Sequence, residues 1–430
     1  MSGVEFPGSF IRKVSTAAIL VMSTATVATV QEPATTGDGH DEPRLMPAAK
    51  ILPPELVQGK HHIVLDGIPT YDSMYLFMVR SDFGDFEADG ELMLRIRLRE
   101  IAALARLEKE SGTTVGARAA GRTAIDSVKS IGGFVARPKK TVKGWPGKVS
   151  RRYDDEQSGQ DETDTEKTSS KAGSAAKAAG KAYMGVERAQ KRWAARVGVD
   201  PYSTNQTLQE ELKRVAGIDS KTTAGARFVA PKIPGVPYVG ETVKMIWNVK
   251  TVDLLEINRN RLVGIGVDPD VMEDFLSLEA MTPSLQTLMI GALIEMDGVD
   301  DRQVAIEQAT TLKYEPEALF FVECIIMAGW FHTTQSPLDR MVSGSGIPAA
   351  VTVDGRLVVF SGADAASWTK EAANVAIEFT GIYEEVSEMR ELWLSGTATP
   401  RFVSEVGQLG WSVRPGVRRE ILPRIPWGME

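Results

Sequence analysis

The sequence predicts an α+β fold in which helices predominate: an N-terminal strand–helix block, a charged insertion, and a larger helical domain with a small mixed part at its C-terminal end. Three observations point there. Apolar residues recur at helical spacing through much of residues 185–430. The alternating apolar pattern of strands is confined to short runs near residues 62–79 and in the last hundred residues. Residues 154–181 hold almost no apolar bulk and so cannot offset the entropy of ordering. The 430 residues suffice for two domains, and 43% apolar with 25% charged residues is ordinary globular composition. A net charge of −8 gives no global attraction to nucleic acid.

At the N-terminus, Arg12 and Lys13 precede an uncharged run from Val14 to Ala28, rich in Ala, Val, Ile, Leu and Met. A basic pair, a short apolar core and small residues at its end form the pattern of a secretory signal peptide, so residues 1–30 are expected to direct export. The run falls short of the ~20 residues that span a bilayer. Residues 31–55, rich in Pro, Gly, Asp and Ala, are expected to be a linker. The single cysteine, Cys324, excludes an intramolecular disulfide and a Cys-cluster metal site. It lies in the apolar run Phe320 to Met327, which predicts a small buried hydrophobe. Export without disulfides suits a bacterial envelope, so a periplasmic or secreted location follows.

Residues 56–152 form the strand–helix block. His62–Leu65 and Met74–Val79 alternate like strands, parted by the turn residues Gly67, Ile68 and Pro69. Glu91–Lys109 is an amphipathic helix, with Leu94, Leu98, Ile101 and Ala105 on one face and Arg95, Arg99 and Arg106 beside it. The block ends in a basic run. Arg137, Lys139, Lys140, Lys143, Lys148, Arg151 and Arg152 stand without an acid between them, interleaved with Trp145. Within it, residues 127–137 recur as 141–151 with five identities in eleven positions, too short a repeat for a solenoid. Residues 153–184 then read as a disordered linker, acidic from Asp154 to Glu166 and rich in Ala, Ser and Lys afterwards.

Residues 185–430 read as helices at Val186–Val197, Leu208–Ala216, Val252–Val263, Met272–Leu278, Ser284–Met296, Asp301–Leu312 and Glu315–Phe331. Gly-Val-Asp-Pro occurs twice, at Gly198–Pro201 and Gly266–Pro269. Both copies are expected to be corners between helices with no ligand role. Ala350 to Phe360 alternates around Asp354-Gly355, a hairpin signal. A helix over Ala365–Phe379 and short strands at Glu391–Leu394 and Trp411–Val413 complete the chain.

No constellation carries readable catalytic chemistry. Gly116 to Thr123 has phosphate-loop spacing, but Arg122 replaces the essential lysine and no strand precedes it. His61 and His62 are adjacent and point to opposite faces of a strand, so they do not share a metal. His332, at a helix end, suits the helix dipole better than a general base acting with Ser343 or Ser345. Asp82, Asp85 and Glu87, like Asp297, Asp300 and Asp301, suit turns and caps rather than a calcium loop. No cofactor or metal is expected.

The basic run is the sharpest candidate site: Arg137, Lys139, Lys140, Lys143, Trp145, Lys148, Arg151 and Arg152 suit an anionic membrane surface or an envelope partner protein. Export argues against a nucleic-acid partner. The expectation is therefore an exported, non-catalytic binding protein. The alternatives are an exported hydrolase whose site is assembled from distant residues, and an intracellular scaffold should the signal reading fail.

Overall fold

Residues 39–41, 45–111, 186–219 and 237–427 are described by the computed structural model. The fold is α+β with helices predominating. The expected signal segment, basic run and acidic linker lie outside the described residues, as does the phosphate-loop-like stretch.

The chain enters through two one-turn helices, α1 (Ala48–Ile51) and α2 (Pro54–Val57), each started after a proline. Ala48 and Leu52 are buried, so this part of the stretch read as linker is packed on the core, as is Leu56 just after it. Strands β1 (His62–Val64), β2 (Thr70–Tyr71), β3 (Met74–Ser81) and β4 (Gly84–Asp89) make an antiparallel sheet around β3. β4 corrects the turn and cap reading of Asp85 and Glu87, which lie in the strand with Asp89. They occupy alternate positions of the strand, and the intervening Ala88 is buried. Helix α3 (Glu91–Ser111) follows. It is enclosed more fully than an Arg-flanked amphipathic helix implies: Arg95, Arg97 and Glu100 are buried alongside Leu94, Leu98 and Ile101.

After residues 186–197 (α4) come α5 (Gln206–Asp219), α6 (Pro237–Asn248), α7 (Thr251–Gly264), α8 (Pro269–Leu276), α9 (Pro283–Glu295), α10 (Gln303–Ala309) and α11 (Glu315–Thr334). Prolines at the first turn and capping side chains at Asp268 and Thr282 set several of these starts. α9 and α11 are buried over most of their length and pack against each other at the centre. Such helices have no polar stripe, as expected when every face is covered.

The C-terminal part is a five-stranded sheet ordered β11-β9-β7-β6-β5, from β5 (Leu338–Val342), β6 (Ala349–Thr352), β7 (Leu357–Ser361), β9 (Arg390–Leu394) and β11 (Trp411–Arg414). β5, β6 and β7 are antiparallel, and the β6–β7 hairpin turns at Gly355 with φ +84°. β7, β9 and β11 are parallel and joined through α12 (Lys370–Tyr383) and α13 (Pro400–Gln408). The expected start of α12 moves from Ala365 to Lys370. Thr369 caps the helix, and Ala365–Ala366 (β8) pairs instead with Thr397–Ala398 (β10).

Along β7, Val358 and Phe360 face α11 and the main core, while Leu357 and Val359 face a second core with Tyr383, Phe402 and Trp411. Covered on both faces, the strand is apolar at every position from 357 to 360. Phe331 of α11 meets Phe360 at 5.5 Å and Trp393 at 4.9 Å, both edge-to-face.

One cluster joins the two ends of the chain. Arg418, in the short helix α14 (Arg418–Ile421), donates to Glu323 Oε1 (2.7 Å) and Oε2 (3.3 Å), Asp364 Oδ1 (2.6 Å), Glu91 Oε2 (3.2 Å) and the Gly362 carbonyl (2.9 Å). Asp364 Oδ2 in turn accepts the backbone N–H groups of Tyr75 and Glu91, each at 3.0 Å, so it caps the start of α3 from the far end of the sequence. The N-terminal block, α11 and the C-terminal sheet thus share both a core and a fully bonded ionic centre.

A candidate acidic cleft

Both Gly-Val-Asp-Pro corners fold alike. Gly198 (φ +79°) and Gly266 (φ +82°) end their helices, with Val199 N–H reaching Ala194 O at 2.9 Å and Val267 N–H reaching Leu262 O at 3.1 Å. In each copy the aspartate Oδ1 accepts the N–H two residues on, from Tyr202 and from Asp270, both at 2.9 Å. The copies part company after the aspartate and in their surroundings: Asp268 caps α8, which begins at Pro269, whereas α5 begins only at Gln206. Asp268 is exposed, whereas Asp200 is 7% exposed and lies beneath α3, α9 and α11.

There Asp200 lines a cleft with Arg97, Glu100, Ser203 and Glu315, walled by Met93, Ile96, Leu285, Leu319 and Trp427. The cavity volume is about 20 Å³, room for about one water. Two hydrogen-bonded chains run through it. Arg97 pairs with Glu100 Oε2 at 2.8 Å, and Glu100 also accepts from Ser203 Oγ and from Asn205 Nδ2 (2.9 Å). Arg97 donates to Thr204 Oγ1 (3.1 Å), whose hydroxyl faces both oxygens of Glu315 at 2.8–2.9 Å. Asn205 caps α5 through Leu208 N–H at 3.2 Å, so the corner, the cap and the cleft are built from the same few residues.

Three carboxylates line this cleft, and its one guanidinium, Arg97, acts on Glu100 and Glu315. Burial pushes Asp200 up to about 7, with the charges of Glu100 and Glu315 adding to the effect against the opposing bonds from Ser284 and Tyr202 N–H. Burial also raises Glu315, opposed by Arg97. Both hydrogen bonds to Asp200 fall on Oδ1, from Ser284 Oγ (2.5 Å) and Tyr202 N–H (2.9 Å). The arrangement can hold a proton on Asp200 near neutral pH.

The other sequence candidates separate. Arg137, Lys139, Lys140, Lys143, Trp145, Lys148, Arg151 and Arg152 lie outside the described residues. His332 Nδ1 accepts the Leu338 N–H at 3.0 Å, while Ser345 Oγ bonds Tyr383 OH at 2.9 Å, so the histidine and this serine serve different turns. His61 pairs with Asp82 at 2.8 Å, and His62 turns toward the backbone of Glu55 and Leu56. Asp85 faces Arg80 at 3.6 Å, and Asp300 joins the backbone of Asp339. Cys324 is buried, its thiol pushed well up by burial, and its Sγ accepts the Gly362 N–H at 3.1 Å. Among the described residues no group of His, Cys, Asp and Glu has the geometry of a metal site, and no helix is long and apolar enough to cross a membrane.

Sequence reasoning missed Arg97, Glu100, Asp200 and Glu315 as a group. The one signal available was the pair Arg97 and Glu100 on a helix otherwise rich in buried apolar residues. No protein-family model, curated protein or solved structure matches this chain.

Proposed function

We propose that the chain is a non-catalytic binding protein of the bacterial cell envelope, exported through residues 1–30 and docked on an anionic membrane surface through the basic run Arg137–Arg152. The observation that carries this reading is the segregation of charge. Seven cations stand together without an acid between them, beside Trp145. The cations buried in the folded body, by contrast, are already engaged: Arg97 with Glu100, Lys191 with Glu187 and Arg418 with three carboxylates. Each Lys or Arg near an anionic bilayer contributes about 1 kcal/mol, and an indole favours the interface.

Flotation of the full chain with phosphatidylglycerol vesicles tests the proposal. Wild type should float, and a variant carrying Lys139→Glu, Lys140→Glu and Lys143→Glu should stay at the bottom. Equal behaviour of the two proteins removes the membrane role.

One observation favours a second reading, an exported hydrolase with a site assembled from distant residues. Asp200 and Glu315 are raised carboxyl groups in one cleft, the pattern of a general acid–base pair. Chromogenic ester, glycoside and peptide substrates test it. Turnover that disappears in both Asp200→Asn and Glu315→Gln favours the enzyme, and no turnover by wild type removes it.

A further inference from the structure

A threonine inside a helix can satisfy its hydroxyl by donating to the carbonyl one turn back. Thr287 does so to Pro283 (2.6 Å), Thr333 to Gly329 (3.0 Å), Thr334 to Trp330 (2.7 Å) and Thr380 to Ala376 (2.7 Å). Thr242 of α6 does not. It is 2% exposed, and its Oγ1 has no hydrogen-bond partner among the described residues. A buried hydroxyl left in that condition carries the full cost of its desolvation, so its partner has to be sought in the space it faces.

That space is a second cavity, where α6 meets α9 and α11. Leu288, Gly291 and Ala292 of α9 and Ile326 of α11 form its apolar wall, and Thr242, Glu295 and Arg424 supply its polar groups. Its volume is about 20 Å³, again room for about one water. Arg424 Nη1 donates to Glu295 Oε2 at 2.5 Å, and Nη2 donates to Thr333 Oγ1 at 3.1 Å. Glu295 Oε1 receives no hydrogen bond from the described residues. Burial raises this carboxyl, and Arg424 alone opposes the rise. The carboxylate and the guanidinium cancel in charge, so the cavity suits a neutral ligand better than an ion. Its size admits one non-hydrogen atom. The ligand must donate to a carboxylate and exchange a hydrogen bond with a hydroxyl, and water does both.

We propose that this cavity is an internal water site, in which one bound water bridges Thr242 Oγ1 to Glu295 Oε1. The bridge extends the chain Thr333–Arg424–Glu295 from α11 and α9 across to α6. It ties α6 to the central helix pair by polar bonds, where the cavity wall offers only apolar contact. The site is independent of the membrane-surface reading, since none of its residues belongs to the basic run.

Thr242→Val in the full chain tests the bridge, because it replaces the hydroxyl by a methyl group with little change of shape. The two possibilities differ in sign. If a water is held by Thr242, the variant leaves that water a partner short, and the urea midpoint should fall by about 0.3 M. If the hydroxyl is simply orphaned, a methyl group suits the site better and the midpoint rises. An unchanged or raised midpoint therefore overturns the proposal. A high-resolution crystal structure of the wild-type full chain reads the site directly, and decides alone if the variant does not fold. One water-sized density peak within about 3.2 Å of both Thr242 Oγ1 and the Glu295 carboxylate is expected. Ordered side chains with no peak between them, a direct bond from Thr242 to Glu295, or density with the coordination of an ion overturns it.

Discussion

Replacing Arg418 with methionine isolates charge from volume, because methionine fills much of the space of the aliphatic stem while removing the guanidinium. Arg418 is 3% exposed and donates five hydrogen bonds, four of them to the carboxylates of Glu323, Asp364 and Glu91. Without it, Glu323 and Asp364, with side chains 1% and 0% exposed, lose their counter-charge, while Glu91 keeps Arg95 at 2.7 Å. Breaking a buried ion pair by removing one partner costs about 3–5 kcal/mol. Asp364 provides a partial escape. Burial, opposed by Arg418, already places its carboxyl at about 6, and loss of the guanidinium raises it further. Protonation therefore relieves part of the damage at pH 5 and less of it at pH 8. Urea unfolding at the two pH values measures this. A loss of about 4 kcal/mol with an m-value of about 3 kcal/mol/M moves the midpoint by about 1.3 M. A midpoint at pH 8 within about 0.3 M of wild type, or a larger loss at pH 5 than at pH 8, refutes the reasoning.

Two further substitutions probe the packing of the C-terminal sheet. Phe331→Ala removes a fully buried ring wedged edge-on between Phe360 and Trp393, and should cost about 3–5 kcal/mol in chemical denaturation. Gly396→Ala places a methyl 2.0 Å from the Asp364 carbonyl oxygen, against backbone that also accepts the Thr397 N–H. It should cost at least about 3 kcal/mol or abolish folding, read from the midpoint or the soluble yield. A midpoint near that of wild type for either variant contradicts the packing described.

Much of the secondary structure was legible, because it is written in local chemistry. Asp354-Gly355 marks the β6–β7 turn, and a left-handed glycine ends the helix at each Gly-Val-Asp-Pro corner. Strand β4 was not legible, since Asp85, Glu87 and Asp89 serve a strand with the same residues that favour turns. The cleft was illegible for a different reason. Asp200 and Asp268 share their tetrapeptide and their local hydrogen bond, and only Ser284, Glu100 and Glu315, brought in from elsewhere in the chain, make one of them unusual. Pattern reading assigns charges to the surface, so it has no means of pairing Arg418 with Glu323 across 95 residues of sequence. The basic run Arg137–Arg152 lies outside the described residues, so its reading rests on composition alone.

The central claim is that binding belongs to that run and that the buried ionic clusters serve the fold. Partition of the full chain onto vesicles of increasing phosphatidylglycerol content, measured at two salt concentrations, tests this most directly. Binding should rise steeply with anionic lipid, weaken at high salt, and collapse when Lys139, Lys140 and Lys143 become glutamate while the urea midpoint stays unchanged. Binding that ignores lipid charge and salt, or that survives the three substitutions, contradicts the account.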